Sequence, residues 1–135
     1  DLYNIKKSIT TDTPIYDYKT HTRKKNETKK IENVKVIIIE GIFALFDKKI
    51  RDLLSMKIYV DTPSDVRLLR RIKRDMSKRA RTIEGIIEQY NKTVKPMFTK
   101  FVKPTRDYAD LIIPFGGKNK VSIDTIVTNI KKTYI

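Results

Sequence analysis

The chain has 135 residues, 39 % of them hydrophobic, with 30 Lys and Arg against 16 Asp and Glu and a formal net charge of +14. That length fits one domain or most of one, and the apolar clusters at 36–39 and 111–113 argue against wholesale disorder. No apolar run approaches the ~18 residues of a membrane span, no charged-then-apolar leader pattern is present, and the absence of cysteine excludes disulfides and thiolate metal sites. The expectation is a cytoplasmic protein whose basic excess attracts anions: nucleotides, phosphorylated metabolites, nucleic acid or acidic membrane surfaces.

In chain order, Leu2, Ile5 and Ile9 have the spacing of a short amphipathic helix, and Pro14–Tyr18 predicts a short strand entering a polar loop. Residues 19–30 show no periodicity, which predicts a loop or a hairpin with a weak second strand near Thr28–Ile31. Val34–Glu40 is an almost continuous β-branched run, the pattern of a strand buried on both faces of a parallel sheet, and Gly41 permits a tight turn after it. Lys48–Leu54 reads as a short helix and Met56–Val60 as the next strand. Thr62 as N-cap, Pro63 and Asp65 predict a helix running to about Lys78, with Val66, Leu69, Ile72 and Met76 turned toward the sheet. Thr82–Phe101 predicts a second long helix, with Ile83, Ile86, Ile87, Tyr90 and Val94 inward and an interruption at Pro96. Asp110–Pro114 gives another buried strand, Gly116-Gly117 a turn, and Val121–Ile130 a closing amphipathic helix. Strands alternating with helices predict an α/β domain with a mostly parallel sheet, its core strands at about 34–40, 55–61 and 110–114.

Six of the nine arginines lie between Arg67 and Arg81. Arg67, Arg71, Arg74 and Lys78 fall at i, i+4, i+7 and i+11, one stripe on the predicted helix. A guanidinium fork grips two phosphate oxygens at once and keeps its charge at any physiological pH. An ordinary exposed face with some carboxylate pairing also produces such a stripe. Here Asp75 is the only carboxylate between Arg67 and Arg81, so the like charges are largely uncompensated and an anionic ligand is expected. Glu40, directly after the hydrophobic run, sits where α/β proteins place ligands and where phosphate-transferring proteins hold an acid near Mg²⁺. A solvent-capped strand end fits that position equally. His21, the only His, follows Tyr16 and Tyr18 in a polar loop. Two phenol rings and an imidazole can stack on a planar base and hydrogen-bond its edge, or can be an ordinary surface loop. No Ser/His/Asp arrangement or His cluster is present, and none of the four glycines falls in GxxxxGK[ST] or GxGxxG spacing.

Ile15–Arg23 (IYDYKTHTR), Glu40–Leu45 (EGIFAL), Val60–Thr62 (VDT), Arg70–Asp75 (RRIKRD), Glu88–Tyr90 (EQY), Val94–Pro96 (VKP) and Ile112–Pro114 (IIP) with Gly116-Gly117 occur in the order and with the spacing of the uridine-cytidine kinases. The chain resembles that family over nearly its whole length. The resemblance implies a P-loop kinase-like, mostly parallel sheet flanked by helices and incomplete at the N-terminus. On this basis residues 1–135 form a single partial domain, with a nucleoside-binding hairpin or loop at about 14–32 and a lid at about 71–82. It also implies transfer of the γ-phosphate of ATP (or GTP), with Mg²⁺, to the 5′-hydroxyl of uridine or cytidine, giving UMP or CMP in pyrimidine salvage. Tyr16 and His21 would meet the polar edge of the pyrimidine and Tyr18 its ring. Arg71, Arg81 and Gln89 would be further nucleoside contacts, although Gln89 by itself reads as an exposed helix residue. Arg74 and Arg79 match the lid arginines over the donor phosphates, and Glu40 matches the acid near Mg²⁺, through water. A homo-oligomer, commonly a tetramer, is implied as well.

Two departures stand out. The strand, the P-loop and the general-base aspartate with which that family begins have no counterpart in these residues. The 135 residues are therefore expected to be a fragment that recognises and clamps without phosphoryl transfer of its own. Tyr18 stands where phenylalanine is more usual. The alternative from another class is a nucleic-acid-binding module that uses the arginine helix on phosphates. A non-catalytic kinase-like domain, with or without a fused nucleobase phosphoribosyltransferase, is a third reading.

Overall fold

The computed structural model describes residues 1–17 and 20–134, the last without its side chain. Its elements are α1 (Leu2–Lys6), β1 (Thr11–Asp17), β2 (Thr22–Ile31), α2 (Lys48–Arg51), β3 (Ile58–Asp61), α3 (Ser64–Arg79), α4 (Ile83–Gln89), α5 (Lys95–Met97), β4 (Leu111–Pro114) and α6 (Lys120–Tyr134). The architecture is mixed α/β, with β3 and β4 parallel and β1 and β2 an antiparallel hairpin. No helix among the described residues is long and apolar enough to cross a membrane.

The parallel pair runs in register from Ile58 opposite Leu111 to Asp61 opposite Pro114. At its entrance Asp110 Oδ2 accepts from the Lys57 backbone N–H at 2.8 Å and from Lys57 Nζ at 2.9 Å. At its exit the Phe115 N–H donates to the Asp61 carbonyl at 2.9 Å. The two Lys57 bonds hold the Asp110 carboxyl below its usual range, the Lys57 side chain first among the causes. A carboxyl depressed in the fold contributes stability above its unfolded pKa of about 3.9 and loses it as pH falls through the folded value. Asp110→Asn is therefore expected to lower the urea midpoint slightly at pH 7. Its deficit against the parent should shrink toward zero below about pH 4; a deficit independent of pH would contradict the pairing.

Residues 34–40 do not form the predicted strand. They carry no ladder, the chain bends at Lys35, and Ile38 is 81 % exposed. β-Branched residues favour the pleated conformation, but a strand needs a hydrogen-bonded neighbour. Among the described residues β3 and β4 bond each other, and none lies along 34–40. Gly41 follows at φ +145, a region that glycine enters without Cβ strain.

The hairpin is longer than predicted, with β2 starting at Thr22. Its register passes from Pro14 opposite Thr28 to Tyr16 opposite Arg23, so Ile15 alone faces residues 24–27. That wide bulge is closed by a 2.9 Å Lys24–Glu27 ion pair and turned by Asn26 at φ 61.

α3 begins at Ser64 after Pro63, and Thr62 does not cap it. The inward face of α3 is the predicted one only in part. Val66 and Ile72 are half-buried as expected, but Leu69 and Met76 are exposed, and Leu68, Arg71 and the fully buried Asp75 take up the rest of that face. The chain then reverses at Ala80, which takes the left-handed conformation (φ 49, ψ 38), and Thr82 caps α4 by accepting from the Gly85 N–H at 3.2 Å. Helical turns continue from Ile83 to Val102, with π-type turns on both sides of Pro96. Proline has no N–H to donate four residues back, which shifts the pattern. Of the predicted inward side chains on this stretch only Ile86 is fully buried. It joins Leu45, Tyr59 and Ile113 in a small apolar core.

Candidate functional site

The reversal at Ala80 lays α4 against α3 and gathers four of the six clustered arginines around one carboxylate. Asp75 is wholly buried, and each of its oxygens faces two guanidiniums. Oδ1 accepts from Arg79 at 3.0 Å and lies 3.6 Å from Arg74 Nε; Oδ2 lies 3.5 Å from both Arg71 Nε and an Arg81 terminal nitrogen. Helical spacing explains the first part: Arg71 and Arg79 sit one turn either side of Asp75. The left-handed Ala80 explains the second, because it turns Arg81 back over the helix. Four guanidiniums against one carboxylate leave a formal charge of +3, so the expectation of uncompensated charge needs correction in degree. The cluster has a built internal counter-charge and an excess beyond it.

The arginines divide into two pairs. Arg71 and Arg81 are the more enclosed, and both donate to the same atom, Gln89 Oε1, at 2.6 and 2.8 Å. Arg74 and Arg79 are more than half exposed, and their outer donors face solvent. With its oxygen taken twice, Gln89 presents its amide NH₂ as a donor. Sequence reasoning assigned Gln89 no importance of its own, and the structure makes it the meeting point of α3 and α4. A neighbouring guanidinium, Arg67, stacks on the Phe98 ring with its carbon 3.7 Å from the centroid, a contact that needs the fold to bring 31 residues of separation together.

Tyr16 is exposed on β1 and sits opposite Arg23 in the ladder. His21 is exposed in the turn at φ 54, next to the 2.9 Å bond between the Thr20 and Thr22 hydroxyls. Tyr18 lies outside the described residues. The hairpin packs on itself rather than tightly against α3 or α4. The structure thus brings Arg71, Arg74, Arg79, Arg81 and Gln89 together and holds Tyr16 and His21 on a separate element.

Glu40 is exposed at the end of the 34–40 run. Among the described residues no three acidic or His groups come close enough to hold a metal ion, so Glu40 does not make such a site with them. The arginine cluster can neutralise a polyanion and direct several fixed donors at it. For a phosphoryl group, that is the service that stabilises charge spread over its oxygens.

Residues 1–122 match the family described as phosphoribulokinase/uridine kinase. The chain is 51 % identical over 131 residues to the uridine kinase of Clostridium novyi, covering 97 % of this chain and 62 % of that protein. It is 55 % identical over 118 residues to the uridine kinase of Bacillus subtilis (87 % and 56 %) and 47 % identical over 133 residues to that of Escherichia fergusonii (98 % and 62 %). The chain therefore spans about three-fifths of the length of these relatives.

Proposed function

The chain belongs to the phosphoribulokinase/uridine kinase family, and from that premise we propose that its residues are the nucleoside-recognising and phosphate-clamping part of a cytoplasmic uridine-cytidine kinase. In this reading the enzyme moves the γ-phosphate of ATP (or GTP) to the 5′-hydroxyl of uridine or cytidine, giving UMP or CMP in pyrimidine salvage, and works as a homo-oligomer. The observation that carries it is the convergence of Arg71 and Arg81 on Gln89 beside the exposed donors of Arg74 and Arg79. The enclosed pair and the Gln89 amide suit the neutral, oxygen-rich nucleoside; the outer pair suits the donor phosphates. Tyr16 and His21, with Tyr18, take the base when the hairpin and the arginine cluster close on the ligand. Mg²⁺ would accompany the donor and neutralise its phosphates, with Glu40 the residue that would face it through water; among the described residues no group of three acidic or His side chains gathers to hold such an ion.

Titrating the chain with uridine is expected to shift the backbone amides of Tyr16–His21 and the side-chain resonances of Arg71, Arg81 and Gln89. A nucleic-acid-binding module would instead bind RNA tightly, lose that binding steeply with salt and ignore uridine. That second pattern would overturn the proposal. The 135 residues contain no GxxxxGK[ST], so incubation with ATP, Mg²⁺ and uridine should give no UMP; its formation would contradict the division of labour proposed here.

A further inference from the structure

We propose that Asp75 is a positioning residue that presets the four guanidiniums of the clamp before any anion arrives, an inference that rests on the reading of those arginines as a nucleotide site. Burying a carboxylate completely is costly unless it is paired and hydrogen-bonded, so a merely solvated basic face has no use for one. Asp75 is buried completely, and its two oxygens face four arginines drawn from three places: the turns before and after it on α3, and Arg81 beyond the reversal at Ala80. Arg81 uses one terminal nitrogen on both Asp75 and Gln89, and Arg71 hydrogen-bonds Gln89 through a terminal nitrogen while its buried Nε stands at ion-pair distance, 3.5 Å, from Asp75 without a hydrogen bond. The carboxylate therefore links the enclosed pair, which holds Gln89, to the outer pair, which faces solvent. A guanidinium has five N–H donors, and those not spent on Asp75 or Gln89 are left in a set direction. Without Asp75 four like charges would share one small region and splay apart. An anion would then have to gather them as it bound, at the entropic cost of ordering long side chains.

Asp75→Asn separates this account from a purely electrostatic one, because it keeps the side-chain shape and raises the formal charge of the cluster from +3 to +4. Charge alone predicts tighter binding of inorganic pyrophosphate, with a steeper salt dependence. Positioning predicts about tenfold weaker binding despite the added charge, the size of one charge-assisted hydrogen-bond arrangement lost. Equal or tighter binding by the variant would overturn the proposal. A parent chain that does not bind pyrophosphate overturns it as well, whereas uridine-induced shifts in the hairpin would then still uphold the nucleoside reading. A second measurement needs no variant. In the unliganded parent chain, rotation about the guanidinium Nε–Cζ bonds of Arg71, Arg79 and Arg81 should be slow in NMR exchange experiments, and that of Arg23 on the exposed hairpin fast. Equally fast rotation at all four would overturn the proposal even if Asp75→Asn failed to fold.

Discussion

Truncating Ile86 to alanine is expected to cost the fold about 2–5 kcal/mol, read as a lower urea midpoint at unchanged slope. Ile86 is 0 % exposed, and among the described residues the other buried apolar side chains are few: Leu45, Tyr59 and Ile113. The loss is therefore a large part of the ~5–15 kcal/mol available to a domain of this size. The contrast with Ile87 sharpens the test. Ile87 is the next residue on α4, chemically identical and 41 % exposed, so its truncation should cost well under half as much. A binding consequence accompanies the stability one, because Gln89 lies three residues beyond Ile86 on the same short helix. Loosening α4 moves Gln89 away from Arg71, with which it makes a 2.6 Å bond. Equal midpoints for the Ile86→Ala and Ile87→Ala proteins would show that α4 is not anchored by Ile86.

Gln89→Glu is expected to leave the fold at least as stable and to weaken uridine binding about thirtyfold. The substitution keeps the oxygen that accepts from Arg71 and Arg81 and adds a negative charge that both guanidiniums favour. What it removes is the amide NH₂, the donor proposed to meet the nucleoside. Losing one hydrogen bond and leaving a ligand oxygen beside a carboxylate amounts to about 2 kcal/mol, hence the thirtyfold figure. Thermal unfolding and uridine affinity, measured on the same sample, should move in opposite directions. Unchanged affinity would remove Gln89 from the site, whatever its place in the arginine network.

Much of this arrangement is legible in the residues. The start of α3 near Pro63 and the pairing strands near 58–61 and 111–114 follow from local patterns, because proline and short β-branched runs act over a few residues; the helix end at Arg79 falls one residue past the expected Lys78. The misreading of 34–40 has the opposite cause. Its residues have the composition of a buried strand, but strand formation depends on a neighbour that no local pattern reports. Asp75 was legible as a residue and not as a role. One carboxylate among six arginines reads as too little compensation, and only the burial of that carboxylate reveals that the arginines are arranged around it. The i, i+4 spacings of Arg71, Asp75 and Arg79 were the available signal. Gln89 offered none, because its importance depends on the reversal at Ala80 that sets α4 beside α3. The pairing of Arg67 with Phe98 is hidden for the same reason.

In the proposed function these residues select a pyrimidine nucleoside with an aromatic-His hairpin and a Gln-anchored pair of arginines. Equilibrium dialysis of the chain against uridine, cytidine and adenosine, each without ATP, tests it most directly. A site whose polar groups match a pyrimidine edge leaves them unpaired against a purine, so adenosine should bind at least about tenfold more weakly than uridine or cytidine. Equal affinity for all three nucleosides, or binding of none, would contradict it.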